Sequence, residues 1–322
     1  SIDVLAGTGS ITQSATSVFL STGATATARL LAATSVTVGD IELTLGTVSI
    51  TATAGAILDA DALVSSANDP DQDITASALR LSAGTSIGES VDHLETTVVT
   101  LSAEARNGSI YLLEADGITI DDVGLSVNRV GSNGTTLTTT TDAAQSDIRT
   151  IGGSGNIVLR TTLGSIILND GTSPDDDTAV SAFGSGNILI QAIGAGTDIT
   201  ANADIVSGSG NMSVLAGQSI VFTGTADILT SSGTAASSGS IDVVAGTGSI
   251  TQSVGSVFLS TGAAATARLL AGTSVTVGTI VLEDGKVSIT ATAGSISDAD
   301  VVTGTNDALQ DITASALRQS AG

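Results

Sequence analysis

Along this chain apolar and polar residues alternate in short bursts, each opened by Gly or Ser: SIDVLAG, GSITQS and SVFLSTG near the start, then GSIYLLEAD, GNIVLRT, GSIILNDG and GNILIQA further on. A period of two predicts strands, and no stretch carries the 3.6-residue period of an amphipathic helix. The alternation turns Ile157 and Leu159 inward and Val158 and Arg160 outward. It likewise places Ile110, Leu112, Ile118, Ile120, Ile188, Ile190, Met212, Val214, Ile220 and Phe222 inside. The segment SGNMSVLAG–QSIVFTG–ADILTSSG packs three bursts into about 24 residues. Matching openings at Ser154-Gly155-Asn156-Ile157, Ser185-Gly186-Asn187-Ile188, Ser209-Gly210-Asn211-Met212 and Ser238-Gly239-Ser240-Ile241 read as one corner met on successive turns, with insertions placed at the third corner. Asn156, Asn187 and Asn211 are then set to form an amide ladder along the axis.

This pattern predicts an all-β fold, a parallel β-helix with three short strands per coil. About 12 coils at ~4.8 Å each make a rod some 60 Å long. A string of β-sandwich modules would also give short strands, but sandwiches want longer strands and a large aromatic between sheets.

A longer repeat overlies the short one. Residues 240–322 repeat residues 1–84 at an offset of 239 up to Asp300, where one residue is lost. Roughly three-quarters of the aligned positions are identical. Residues 1–239 therefore form one long unit of about nine coils, with an irregular excursion near 125–150, and 240–322 a partial second copy. One copy followed by a third of the next reads as an excerpt of a longer continuous array.

Composition narrows the core. Aromatics are 2 % and Trp is absent, yet 41 % of residues are hydrophobic, so the interior is thin and aliphatic. A net charge of −23 argues against nucleic acid or an anionic membrane surface as partner. Cysteine is absent, so no disulfide framework exists. No apolar run approaches the ~20 residues of a membrane span.

The G-S-I-x-L/V-x-A-x-G-x-I grammar at Gly9-Ser10-Ile11, Gly108-Ser109-Ile110 and Gly164-Ser165-Ile166 resembles the filamentous-haemagglutinin-type repeats of very large bacterial surface proteins. Residues 81–120 resemble a segment that recurs in giant repetitive adhesin-like proteins. The resemblance implies a right-handed β-helix, secreted or at the cell surface, working as stalk, filament or adhesin.

Candidate chemistry is sparse. With no Cys and one histidine, a nucleophilic triad is ruled out, and His93 reads as a solvated surface residue whose removal changes nothing. Asp59, Asp61, Asp69, Asp71 and Asp73 form the densest carboxylate cluster and are the candidates for weak calcium binding. Asp175, Asp176 and Asp177 form a second cluster, and Asp121 with Asp122 a third. The nonapeptide of calcium-loaded β-rolls and the EF-hand loop are both absent, and the second copy has Ala308 and Leu309 where the first has Pro70 and Asp71. Acidic corners for solubility are the plainer reading.

No catalytic or cofactor-binding residue is assigned, and the chain is read as a non-enzyme. A polysaccharide-degrading β-helix enzyme would want carboxylates converging on one strand face, and an ice-binding protein a flat Thr array. Outward aliphatics, namely Leu113, Val158, Ile167, Leu189 and Val221, mark a possible lateral contact. The expected role is a structural segment of an extracellular rod or filament, associating end to end, laterally or with neighbouring repeats. The alternative is an adhesin for a glycan or a partner-cell ligand.

Overall fold

A computed structural model describes residues 1–61, 71–230, 239–262, 264–300 and 310–322, and every regular element in them is a β-strand. All but one of the ladders joining these strands are parallel, and most link each strand to one a coil earlier and one a coil later. The chain is a β-solenoid with three strand-bearing faces per coil. Alternation sets what each face buries. In Ile157–Thr161 the burial runs buried, half-buried, buried, half-buried, buried, and the pattern recurs in Ile188–Ala192, Met212–Ala216 and Ile241–Ala245. Each residue assigned inward by period two is at most 2 % exposed.

Parallel, in-register stacking turns the inward positions into columns. On face 1 one column runs Val4, Leu30, Ile50, Leu81, Ala103, Ile148, Val180, Ile205, Ile228, Phe258, Ile280 and Ile312, one residue per coil over 12 coils. Face 2 carries the column Leu112, Leu159, Ile190, Val214, Val243, Leu269 and Ile289. Face 3 carries Ile118, Ile166, Ile199, Ile220, Ile250, Val275 and Ile296. Branched aliphatics suit such columns, since each lies on its like at the strand spacing and leaves little void. Two phenylalanines are fully buried in the interior: Phe222 and Phe258 meet edge to face at 4.8 Å.

Corners are built from small and amide residues. Gly155, Gly186, Gly210 and Gly239 stack on one another, and an added Cβ at each would meet the carbonyl oxygen of the glycine one coil below. Beside them the amide ladder forms: Asn187 Nδ2 donates to Asn156 Oδ1 and Asn211 Nδ2 to Asn187 Oδ1, at 3.2 and 3.0 Å. Ser240 continues it through its hydroxyl to Asn211 Oδ1 at 2.8 Å. A second polar ladder, Asp121–Asn169–Asn202–Thr223, follows face 3.

The three-strand rhythm is not uniform. Asp40–Ala52 and Thr279–Ala291, each 13 residues, bend through two faces without a break. Insertions are not confined to one corner either. Residues 88–93 bulge from face 2, because Ile87 and Leu94 stack on Ile110 and Leu112, only two residues apart. Residues Val123–Val130 and Leu137–Gln145 leave between faces 3 and 1 as an antiparallel hairpin, the exception to the parallel ladders.

These irregularities decide where the second copy lies. Val4 belongs to face 1, but its duplicate Val243 belongs to face 2, while the face 1 column reaches Phe258, the duplicate of Phe19. The 239-residue unit, expected to hold about nine coils, spans eight coils and one further face. The two copies present the same residues on different sides of the rod.

Candidate functional site

Among the described residues the hairpin is the one pair of strands that leaves the coil, and it lies against the rod. It lies back along the rod axis across the face 1 strands Ile2–Ala6, Thr27–Ala32, Asp40–Ala52, Ile74–Ala83 and Leu94–Ala105. Length makes this possible: eight extended residues span about 26 Å, and five stacked strands about 19 Å. Alternation in Val123–Val130 turns Val123, Leu125 and Val127 toward the face, at 3 %, 5 % and 1 % exposure, while the residues between them stay exposed.

Beneath the hairpin runs an outward rank of one residue per coil: Asp3, Arg29, Ser49, Arg80 and Ser102. Asp142 of the hairpin accepts Arg29 Nε at 2.7 Å through Oδ1 and the Ser49 hydroxyl at 2.7 Å through Oδ2. Arg29 Nη1 also reaches Asp3 Oδ1 at 3.2 Å, and Arg129 Nε reaches Asp3 Oδ2 at 2.7 Å. Burial raises the Asp3 pKa, but hydrogen bonds from Arg129 and Arg29 outweigh it and hold the carboxyl below its usual value. Arg80 Nε donates to the Ala143 carbonyl at 3.1 Å, and Gln145 Nε2 to the Leu81 carbonyl at 2.9 Å. The hairpin thus staples coils that do not touch one another, in a stack held mainly by contacts between neighbouring coils. Where it rejoins the coil, Asp147 adopts φ +66°, and burial pushes its carboxyl up to about 7.

The carboxylate corner is the second place where ionisable groups converge. Asp59, Asp73 and Glu95 each offer an oxygen within 4.8 Å of the others, and so do Asp298, Asp300 and Asp311. Of the five calcium candidates, the structure brings Asp59 and Asp73 together. Asp61 donates its main-chain N–H to Asp59 Oδ1 at 2.8 Å, Asp71 is exposed, and Asp69 lies outside the described residues. Glu95 joins them from the next coil: its N–H donates to Asp73 Oδ2 at 2.9 Å, 22 residues away in sequence. That separation is one turn, the signal that would have linked them. This cluster is not the solvated acidic corner expected from sequence, because Asp73 is 5 % exposed and Glu95 fully buried. Burial, then hydrogen bonding and charge from Asp59, push the Asp73 carboxyl up to about 11, so the corner holds a proton at neutral pH. Asp59, Asp73 and Glu95 are the residues that could hold a cation, which would take the place of that proton.

The other acids serve turns. Asp122 Oδ2 accepts the Thr172 N–H and hydroxyl at 2.9 and 2.6 Å, and Asp177 Oδ2 accepts the Thr225 hydroxyl at 3.0 Å. Asp175, Asp176 and Asp177 are all exposed. His93 corrects the sequence reading: it is 7 % exposed, not solvated, and stacks on Tyr111 with centroids 5.7 Å apart. Burial, aided by the Arg160 charge, lowers its pKa to about 4, so it is neutral at physiological pH.

The lateral-contact candidates fall on two faces. Val158 and Leu189 stack as neighbours with Tyr111 on face 2, and Leu113 occupies the adjacent rank. Ile167 and Val221 lie on face 3, separated by Thr200. Ile167 is exposed and the other four half-buried.

Glu114 was not singled out by sequence. Between the rungs Thr96–Glu114 and Thr100–Thr119 the main chain has no partner strand in the following coil, and the Glu114 carboxylate takes that place. It accepts the Val98 N–H at 3.1 Å, the Asp116 N–H at 3.2 Å and the Thr96 hydroxyl at 2.7 Å. Full burial overrides these bonds and raises its pKa to about 7.

Comparisons with protein-family models, with curated proteins and with solved structures return no match for this chain.

Proposed function

We propose that this chain is a load-bearing segment of an extracellular or cell-surface rod, related in design to the filamentous-haemagglutinin-like and adhesin-like repeats it resembles. The observation that carries this reading is the staple: a hairpin buries three aliphatics and pairs Asp142 and Arg129 with the coils beneath, tying five coils together along the axis. A binding groove does not need such an axial tie, whereas a rod under tension does. Two further features agree. The unbroken 12-residue column lets length grow by adding coils, and the net charge of −23 keeps the surface solvated against nonspecific clumping. The rod works by self-association, end to end or laterally, or against neighbouring repeats, and no catalysis is assigned to it.

Electron microscopy of the purified chain, with single-molecule pulling, tests this. Rods about 60 Å long, and an unfolding force that falls when the hairpin is shortened, support the reading. Globular particles, or a force indifferent to the hairpin, overturn it.

The adhesin alternative has one observation behind it. Tyr111, Val158 and Leu189 lie beside the Asn156–Asn187–Asn211 ladder in an open groove, an aromatic–amide combination suited to a sugar ring. Binding of the chain on a glycan array, lost on Tyr111→Ala, would favour it.

A further inference from the structure

The rank under the staple occurs twice, and the hairpin covers only the first. Asp3, Arg29, Ser49 and Arg80 have the duplicates Asp242, Arg268, Ser288 and Arg318, identical in type and stacked in the same order on consecutive coils. Because the repeat spans eight coils and one face, the second rank lies on face 2, where no described residue of the hairpin reaches it. One chain therefore shows the same surface with and without its cover.

The two states differ as a docking event would require. In the covered copy Arg29 divides its donors between Asp3 and Asp142, and its side chain is 7 % exposed. In the open copy Arg268 turns both Nε and Nη2 onto Asp242 at 2.7 Å, with 55 % of its side chain exposed. Ser49 is fully buried against Asp142, whereas Ser288 is half-buried and receives Arg318 Nη1 at 3.4 Å. An open depression runs along this rank, between the Arg268, Ser288 and Arg318 strands. The donors that hold Asp142 in the first copy are all present in the second, and Arg268 needs only to exchange one of its two bonds to Asp242.

We propose that the Asp242–Arg268–Ser288–Arg318 rank is a seat for a second β-hairpin of the 123–145 sequence, carried in cis by a further copy of this repeat. Its carboxylate at the Asp142 position bridges Arg268 and Ser288, and its arginine at the Arg129 position takes Asp242. The seat goes beyond the rod reading and does not depend on where the rod is displayed.

Thiol accessibility tests this directly, since the chain has no cysteine of its own. In the 322-residue chain, maleimide labels Ser288→Cys fast and Ser49→Cys slowly. The chain is then extended after Gly322 by its own residues 85–161, which carry the second copy through its hairpin and the first two faces of the following coil. Labelling of Ser288→Cys is expected to slow at least tenfold, toward the Ser49→Cys rate. Placing Arg at the Asp142 position of the added hairpin should restore fast labelling. Two results overturn the proposal: unchanged labelling of Ser288→Cys in the extended chain, or tryptic removal of the added hairpin at its arginines, because a seated hairpin resists both.

Discussion

Substituting the same residue in both copies gives the most direct measure of the staple. Arg29→Ala and Arg268→Ala remove identical side chains from the identical sequence context TARLLA, so propensity and denatured-state effects largely cancel. In the first copy the substitution strands Asp142, whose side chain is 12 % exposed, with only the Ser49 hydroxyl, and leaves Asp3 with Arg129 alone. Breaking a buried pair by deleting one partner costs about 3–5 kcal/mol. In the second copy the pair is solvated at 55 % and 31 % side-chain exposure, and exposed pairs are worth up to about 1 kcal/mol. A stack of coils need not unfold in one step, so a global midpoint would blur this difference. Amide hydrogen exchange across 123–145 reads it locally. A loss of about 3 kcal/mol is roughly a hundredfold faster exchange there for Arg29→Ala, with Arg268→Ala indistinguishable from wild type. Equal effects of the two variants, or hairpin amides indifferent to Arg29→Ala, would refute the reasoning.

Three further outcomes follow from the buried carboxyls and the corners. Glu114 has a folded pKa raised from 4.5 to about 7, so its contribution is fully present below the unfolded value and is lost as pH rises through 7, by up to about 3 kcal/mol. Glu114→Gln should flatten the fall in stability between pH 5 and pH 8, measured as the wild-type-minus-variant difference in denaturant midpoint; parallel curves would sink this. Asp73→Asn replaces a proton-bearing carboxyl by a neutral near-isostere and should leave the melting temperature at pH 7 within about 2 °C. EGTA should leave the wild-type value unchanged, whereas a drop of several degrees would mean a cation, not a proton, joins Asp59, Asp73 and Glu95. Gly210→Ala, which drives a methyl into the Gly186 carbonyl, should cost about 1–3 kcal/mol, while Gly7→Ala, in open space, should be neutral by the same melts.

The coil was legible because period two is a local signal: Ile157–Leu159 and Ile188–Ile190 declare their faces within five residues. The amide ladder was legible for a related reason, since Asn156, Asn187 and Asn211 recur behind the same Ser-Gly. The staple was not. Asp142 meets Ser49 across 93 residues and Arg29 across 113, and its Thr-rich strands carry no mark of what they lie on. Glu95 and Glu114 escaped notice because each acts on the coil next to its own, where a carboxylate stands in for a missing rung or a neighbouring carboxyl's partner. His93 misled for the opposite reason. As the single histidine it read as solvated, while Tyr111, its stacking partner, comes from the following coil. The rotation of the second copy was hidden too, because it depends on strands such as Asp40–Ala52 that run through two faces without a break in the strand.

The extra third of a turn has a geometric consequence for any array of this unit. Had the repeat closed on eight or nine whole coils, every staple would lie along one side, giving the fibre a braced edge and two bare ones, and it would bend like a bimetallic strip. With eight coils and one face, successive staples step around the circumference and regain their first bearing at the fourth copy. Stiffness is then shared evenly in all directions, and whatever the staple tips carry is offered to every side of the fibre in a spiral stair.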